Sequence, residues 1–193
     1  MSEKRPYQLK KRAKSREETR QKIVDATMQL HEEIGPRATT ISAIAERAGV
    51  QRLTVYHHFP DETAVFQACT SHWLSLNPPP DPALWDGLDD PLTRLGAALG
   101  HFYDYYSATH RMWTAATRDV ADVPALQRPM AEFSGYVGAV AADLVAAFPD
   151  SRDTAFVSAT VFHALLFQTW ASLQDQNLPN AAKVALVIRW LEK

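Results

Sequence analysis

A group of hydrogen-bonding side chains between positions 51 and 57 is the part of this sequence best suited to chemistry with a partner. Its members are Gln51, Arg52, Thr54, Tyr56 and His57. They lie on a predicted short helix, from position 51 to about 58, in which Val55 and Phe59 face inward at a spacing of four residues. An arginine can donate two hydrogen bonds to guanine, a glutamine can pair with adenine, and a threonine methyl can contact thymine. The side chains therefore indicate recognition of nucleic acid bases.

A second amphipathic helix precedes this segment and is joined to it by a glycine turn. Its inner face carries Ile41, Ile44, Ala45 and Ala48, at the spacing of one buried helix face. Either Thr39 or Thr40 can cap its first turn, and Gly49 stands where a helix end favours positive φ. Two short helices, a glycine turn and an outward polar face predict a helix-turn-helix. An ordinary α-hairpin of a helical protein shares these features, so that alternative stays open on the pattern alone.

A helix from Ser15 to the breaker pair Gly35-Pro36 precedes the two short helices and completes a three-helix unit. The segment TTISAIAERAGVQRLTVYHHFPD is its most diagnostic part. Residues 16–70, about a quarter of the chain, resemble the N-terminal DNA-binding domain of TetR-family transcriptional regulators. Beyond residue 70 the resemblance is architectural only. It implies an all-α regulator, with a three-helix DNA-binding domain followed by a helical ligand-binding and dimerisation domain.

The resemblance also implies DNA-binding roles for individual residues. The positions that match are Thr40, Ser42, Gln51, Arg52, Leu53, Thr54, Tyr56, His57 and His58. Thr40 and Tyr56 stand at phosphate-binding positions, and the recognition helix enters the major groove. The two adjacent histidines stand where the family often contacts the DNA backbone. They point about 100° apart on a helix, so no metal site is predicted there.

Two positions depart from the family pattern. Leu53 stands where many members have glycine or another small residue, and its side chain can contact a thymine methyl instead. Glu62 stands where many members have a phosphate-binding lysine at the start of the fourth helix. One expected backbone contact is therefore missing, and the basic N-terminus is the candidate to replace it.

Charge is distributed unevenly along the 193 residues. Residues 1–59 carry 12 Lys/Arg against 7 Asp/Glu, whereas the rest of the chain is acidic and the total is −2. Residues 1–14 are read as a flexible basic arm that follows phosphates or enters a minor groove, with a functionless solvated tail as the alternative. No uninterrupted run of 18 apolar residues and no secretory leader are found, and Cys69 is the single cysteine. These features predict a cytoplasmic protein.

The proline-rich stretch at 77–82 predicts the boundary between a domain at 15–76 and a second domain at 77–193. The fourth helix is expected to couple the two domains mechanically. Further helices are expected over 61–76, 90–108, 111–120, 124–147, 152–176 and 180–192, which makes about nine in the chain. Pro129 leaves either a kink or a delayed start open for the helix from 124.

Aromatic side chains are dense between residues 100 and 170, and polar groups lie among them. The residues singled out for a ligand pocket are His101, Phe102, Tyr105, His110, Trp113, Arg118, Phe133, Tyr136, His163, Phe167 and Trp170. Aromatic walls with a few polar groups are typical of small-molecule sites. Most of these rings also suit an ordinary core, so the alternative of simple packing stays open.

The last two helices carry too many apolar residues for one buried stripe. Burial on two sides is expected, and the resemblance implies a homodimer formed through 152–176 and 180–192. The sequence as a whole predicts a regulator, most simply a repressor, that a small-molecule effector releases from palindromic operator DNA. Neither a cofactor nor a catalytic residue is predicted. The alternatives are an all-α enzyme using His101, Asp104, His110 and Arg118, or a small-molecule-binding module without DNA contact.

Overall fold

The computed structural model describes residues 4–148 and 153–191, with the side chains from residue 10 onward. Within them the chain forms nine α-helices and no strand, which confirms the predicted all-α class. The helices are α1 (Lys4–Glu33), α2 (Ile41–Ala48), α3 (Arg52–His58), α4 (Glu62–Leu76), α5 (Pro91–Asp119), α6 (Pro124–Ala146), α7 (Thr154–Leu165), α8 (Phe167–Gln174) and α9 (Asn180–Leu191). Two single turns of 3-10 helix, Pro36–Ala38 and Pro82–Leu84, lie between them.

These helices are divided between two compact units. The first unit comprises Met1–Asn77 together with Thr114–Gln127, and the second comprises Pro78–Trp113 with Arg128–Lys193. Residues 78–80 are three prolines, and they directly follow Asn77, where the first segment of the first unit ends. The return of residues 114–127 to that unit is not anticipated by the sequence analysis, because it depends on contacts between segments far apart in the chain.

The first unit is built on a core shared by α1 to α4. Its buried members include Ile23, Val24, Leu30, Ile41, Ile44, Val55, Phe59, Val65 and Phe66. The hydroxyl oxygen of Thr40 accepts a hydrogen bond from the Ala43 amide at 3.2 Å, so Thr40 is the cap of α2. Gly49 has φ 68° and ψ 35°, as predicted for the glycine that ends this helix. These local signals fix the bounds of α2 and the turn into α3.

The first helix begins earlier than predicted. It starts at Lys4, and at Ser15 the backbone is already helical, with the Ser15 carbonyl accepting a hydrogen bond from the Thr19 hydroxyl at 2.9 Å. The predicted start at Ser15 is therefore wrong, and residues 4–14 extend α1 where a flexible arm was expected. The physical reason is composition: this segment is rich in Lys, Arg, Gln, Leu and Ala, which all favour helix.

A buried histidine makes the stability of the first unit dependent on pH. His31 is 2% exposed, packs edge-on against the Phe66 ring at 4.4 Å, and has Nδ1 3.7 Å from the Cys69 sulfur. Burial lowers the pKa of His31 from 6.5 to about 4, against a smaller opposing effect of Asp119. The unfolded chain consequently binds more protons than the folded chain between about pH 4 and pH 6.5.

We expect the free energy of unfolding to be fully retained above pH 6.5 and to fall as the pH drops toward 4. The loss attributable to His31 is about 3 kcal/mol across that window. Urea unfolding at pH 7 and pH 5 measures it, and His31→Gln should reduce the difference between the two values. The control His101→Gln removes an exposed imidazole from the second unit. A pH dependence in His31→Gln equal to that of the native chain would contradict the assignment.

The α5 helix is one continuous helix where two helices were predicted. It runs without interruption from Pro91 to Asp119, so the expected break between 108 and 111 is wrong. Thr109, at the expected break, donates its hydroxyl to the Tyr105 carbonyl at 2.5 Å and stays within the helix. The α6 helix likewise continues through Pro129 from a start at Pro124, which excludes the delayed start.

The predicted helix 152–176 is instead two helices, α7 and α8, bent by 68° at Leu166. Residue 152 lies outside the described residues, as does residue 192 of the predicted last helix. Leu166 has φ −73° and ψ 143°, which is extended backbone. Two buried hydroxyls of α5 bind the carbonyls at the end of α7: Tyr103 donates to Ala164 at 3.0 Å and Tyr106 donates to Leu165 at 2.8 Å. These bonds satisfy carbonyls that a continuous helix would have satisfied itself.

Among the described residues, no helix taken singly has the length and apolarity needed to cross a membrane. Only α7 and α8 taken together reach that length and composition, and the bend at Leu166 separates them.

Candidate nucleic-acid interface

The exposed face of α3 carries most of the side chains predicted to contact DNA. Gln51, the residue before the helix, and the helix residues Arg52, Leu53, Tyr56 and His57 are all exposed. Leu53 is 62% exposed and Tyr56 is 43% exposed, although both side chains are large and mainly apolar. Thr54 and His58 are half-buried. A row of donors with two bare apolar groups is what base edges and thymine methyls require of a reading surface.

Two buried residues hold this helix in place. Val55 is fully buried and Phe59 is 4% exposed, so the inward spacing predicted for α3 is confirmed. The Arg20 guanidinium of α1 lies over the Phe59 ring, 5.0 Å from its centroid. Because the helix has only seven residues, these contacts and the turn at Gly49 supply the rigidity that its own hydrogen bonds cannot.

The α2 helix contributes a smaller part of the same surface. Thr40 and Ser42 are exposed at its start, where Thr40 accepts the Ala43 amide and keeps its own hydroxyl proton for another acceptor. Arg47 is not part of this surface, because both of its terminal nitrogens bind the Glu33 carboxylate at 2.9 and 2.7 Å. That bidentate pair fixes the end of α2 to the end of α1.

A second set of charged residues in the first unit was missed by the sequence analysis. Arg118, at the end of α5, donates to the Ile34 carbonyl at 3.1 Å and pairs with Asp119 at 2.7 Å. The Asp119 carboxylate in turn accepts the Arg37 amide at 3.1 Å. Hydrogen bonds from Arg118, together with the Arg37 amide, lower the pKa of Asp119 against the effect of burial. We call this group the loop clasp, since it holds the loop between α1 and α2.

The loop clasp requires glycine at position 35. Gly35 has φ 91° and ψ 157°, a conformation that is essentially restricted to glycine. A Cβ atom at this position would lie 2.5 Å from the Asp119 carboxylate and overlap the Arg118 guanidinium. In the sequence Gly35 could be read only as a helix breaker, because its partners are more than 80 residues away.

The aromatic residues predicted to line a ligand pocket are brought together in the second unit. They are Phe102, Tyr105, Trp113, Phe133, Tyr136, Phe167 and Trp170, joined by Tyr106. Trp113 and Phe133 have the smallest separation between ring centroids, 4.4 Å. Tyr105, Phe133 and Tyr136 are half-buried, and the Tyr136 hydroxyl donates to the Pro80 carbonyl. Burial raises the pKa of Tyr105 to about 12, so its hydroxyl is neutral at pH 7.

The polar residues predicted to join these rings are placed differently. His101, His110 and His163 are exposed; His110 lies 6.4 Å from the Trp170 ring and His101 lies 6.2 Å from the Trp85 ring. Arg118 belongs to the first unit, within the loop clasp. Arg118 lies in the last turns of α5, which the first unit includes.

Three residues of the alternative enzyme site have hydrogen-bond partners outside that set. Asp104 accepts a hydrogen bond from Asn180 at 2.8 Å, His110 has Nδ1 3.0 Å from the Ser107 carbonyl, and Arg118 binds Asp119. No cluster of three His, Cys, Asp or Glu side chains suited to a metal ion occurs within 4–148 and 153–191.

A known protein family matches the N-terminal part of the chain. Residues 23–69 match the family described as bacterial regulatory proteins, tetR family. The chain is 40% identical over 75 residues to the HTH-type transcriptional regulator SrpR of Pseudomonas putida, covering 37% of this chain and 35% of that protein. It is 32% identical over 114 residues to the regulator BetI of Serratia proteamaculans, covering 56% and 58%. The matched region is thus little more than a third of the first relative and under two thirds of the second.

Solved structures extend the likeness of the fold to most of the chain. A TetR-like transcriptional regulator from Rhodococcus sp. RHA1 superposes with a TM-score of 0.63 at 18% identity, covering 88% of this chain and 91% of that one. The fatty acid degradation regulator FadR from Bacillus halodurans gives 0.60 at 17% identity, covering 89% and 93%. At such low identity the superpositions establish the fold alone.

Proposed function

We propose that this chain, which belongs to the TetR family of bacterial regulatory proteins through its N-terminal domain, is a DNA-binding transcriptional regulator. The observation that carries the proposal is the exposed face of α3, held by Val55 and Phe59 and built from donors that suit base edges. Its curated relatives SrpR and BetI are each named as transcriptional regulators, which supports this proposal over the enzyme alternative. Its site of action would be the bacterial cytoplasm, where the DNA is.

The operator is expected to be a near-palindrome read by two copies of the chain. One helix of seven residues contacts only a few base pairs, so specificity needs two such helices about one helical turn apart or a multiple of it. Apolar side chains that would join the copies are exposed on two helices of the second unit. Phe156 and Phe162 of α7 are 53% and 40% exposed, and Trp190 of α9 is 38% exposed.

Binding to the DNA upstream of the chain's own gene is the direct test, and Arg52 is its sharpest probe. Arg52→Ala should weaken binding to that DNA by about 1–3 kcal/mol and relax the preference at one base pair, because a bidentate contact to guanine is lost. Gel shift on the upstream DNA and on single-base variants measures both effects. Arg52 is exposed, so the substitution should leave the folded state unchanged.

Two further variants separate base reading from backbone contact. Tyr56→Phe should weaken binding to the operator and to random DNA about equally, since a phosphate contact carries no sequence information. Arg128→Ala is the matched control, because Arg128 is 88% exposed in the second unit and does not belong to the reading surface. An Arg52→Ala protein with unchanged affinity and unchanged preference would show that α3 is not the reader. Failure of the native protein to bind any DNA would favour the binding-module alternative.

A small-molecule effector is proposed to act through the aromatic cluster of the second unit. A flat or apolar molecule suits stacked rings, and the half-buried Tyr105, Phe133 and Tyr136 are the ring edges within its reach. The α5 helix supports a coupling, because the same helix carries Tyr105 and, at its end, the loop clasp. Such a ligand would bind the conformation that does not bind DNA more tightly than the one that does. A difference of about 1–3 kcal/mol would weaken operator binding about 5–150-fold.

Release of DNA by the effector is tested through its reciprocity. A compound found by thermal-shift screening should bind more weakly in the presence of operator, by the same factor by which it weakens operator binding. Repression and release are the proposed order of events, since occupied operator DNA blocks a promoter until the effector arrives. Equal ligand affinity with and without operator would mean that ligand binding at the aromatic cluster does not regulate DNA binding.

A further inference from the structure

The helical form of residues 4–14 sorts the basic side chains of the N-terminus onto distinct faces of α1. Arg12, Arg16 and Arg20 recur every four residues, so they follow one face with successive Cα atoms about 6 Å apart. Lys10 and Lys14 lie about 200° around the helix from Arg12 and Arg16. A flexible arm would present all of these cations alike. In the helix, only the face with Arg12, Arg16 and Arg20 lies beside the end of α3.

The arginine face and the end of α3 together form a groove of about 560 Å³. Its lining residues are Arg12, Ala13, Arg16, Glu17, Arg20 and His58. Three arginines face one glutamate, so the groove is positive whether or not His58 is protonated. Glu17 is 3.8 Å from Arg20, which also stacks on Phe59. Arg12 and Arg16 form no ion pair with any residue that the structure describes, and their charges remain available to an anion.

We propose that this groove is a seat for a phosphate of the DNA backbone, placed beside the recognition helix and occupied while α3 reads the bases. The occupant follows from position and charge: one wall is His58, the last residue of the helix whose preceding turns carry the reading surface. A DNA-reading surface lies against many backbone phosphates. An arginine often binds a phosphate through two parallel hydrogen bonds. The seat also supplies the backbone contact that Glu62 cannot make. The inference rests on the proposed function.

Occupation of the seat should be coupled to a proton at His58. Burial lowers the pKa of His58, and the charges of Arg16 and Arg20 lower it further against Glu17, with His57 adding to the lowering. The ring is therefore mainly neutral at pH 7 in the free protein. A phosphate between the ring and the arginines favours the charged imidazole, so DNA binding should take up a proton. Affinity for DNA should consequently rise as the pH falls from 8 to 6.

The first experiment compares two double variants that remove equal charge from opposite faces of α1. Binding of a labelled random-sequence duplex is followed by fluorescence anisotropy between 50 and 200 mM salt. R12Q/R16Q should reduce the slope of log K against log salt by about 1, since the one lost phosphate contact contributes about 0.9. K10Q/K14Q is the matched control and should change the slope by less than half as much. Glutamine preserves helix propensity, and all four positions are exposed, so folding should be retained.

The second experiment measures the same binding between pH 8 and pH 6 at fixed salt. His58→Gln should lose the rise in affinity at low pH that the native chain shows, whereas His101→Gln, at an exposed position of the second unit, should retain it. An equal loss of salt slope from both α1 pairs, or an unchanged slope in R12Q/R16Q, would overturn the seat. A pH dependence that survives in His58→Gln would place the proton elsewhere and overturn it too. If the native chain bound neither this duplex nor the upstream DNA, the proposed function itself would fail.

Discussion

Trp190→Asp is expected to convert a dimer into monomers and to abolish specific operator binding. The Trp190 side chain is 38% exposed in the single chain, on helix α9, which packs against α7. An aspartate there would place an unpaired charge in an apolar interface, at a cost of several kcal/mol. A monomer presents one recognition helix, so operator affinity should fall toward the non-specific level, a loss on the order of 10³-fold or more.

The measurement is sedimentation velocity at micromolar concentration, followed by anisotropy with operator DNA. Phe156→Asp should give the same result, because Phe156 is 53% exposed and contributes less to the fold of its own chain. Ala185→Asp is the matched control: it adds the same charge to α9 about 140° around the helix from Trp190, at an exposed position. Circular dichroism confirms that each variant is folded. A native protein that sediments as a monomer at this concentration would remove the dimer from the proposal.

Gly35→Ala is expected to lower the free energy of unfolding by about 3 kcal/mol. The backbone conformation at Gly35 costs a residue with a side chain about 1–3 kcal/mol. The new methyl group would also displace Arg118 and Asp119, and a buried carboxylate that loses its partners adds about 1–3 kcal/mol. The loop between α1 and α2 should shift as a result, and operator binding should weaken even though no DNA contact is changed.

Gly49→Ala provides the comparison that isolates the loop clasp. Gly49 also has positive φ, but nothing lies within 4 Å of the Cβ that alanine would add. Its cost should therefore be about 1–2 kcal/mol, the backbone component alone. Urea unfolding followed by circular dichroism measures both variants. Equal losses for the two glycines would mean that the loop clasp contributes nothing to stability.

Most of the exposed surface of α2 and α3 could be predicted from the sequence, because its determinants are local. The Thr40 cap, Gly49 and the inward spacing of Val55 and Phe59 act within a few residues, so the chain itself encodes the bounds of α2 and α3. The exposed face of α3 then follows from helical periodicity. The seven-residue helix required no knowledge of the rest of the molecule to be located.

The longer helices were predicted less well, and the missed break between α7 and α8 has a tertiary cause. Leu166 interrupts an apolar segment that reads as one helix, because the hydroxyls of Tyr103 and Tyr106 bind the carbonyls exposed by the break. No local signal marks that position, since the donors come from α5, some 60 residues earlier. The predicted effector and dimer residues depend on the same long-range packing and stay predictions.

The sequence by itself determined the helical class, the helix-turn-helix and the residues that face outward from α3, since periodicity, caps and glycine turns are properties of neighbouring residues. Only the tertiary structure decided which distant charges meet. It brought Arg118 into contact with Ile34, and it placed Arg12 and Arg16 beside His58. Contacts between segments more than 40 residues apart depend on how whole helices pack. The spacing of residues within one segment does not determine that packing.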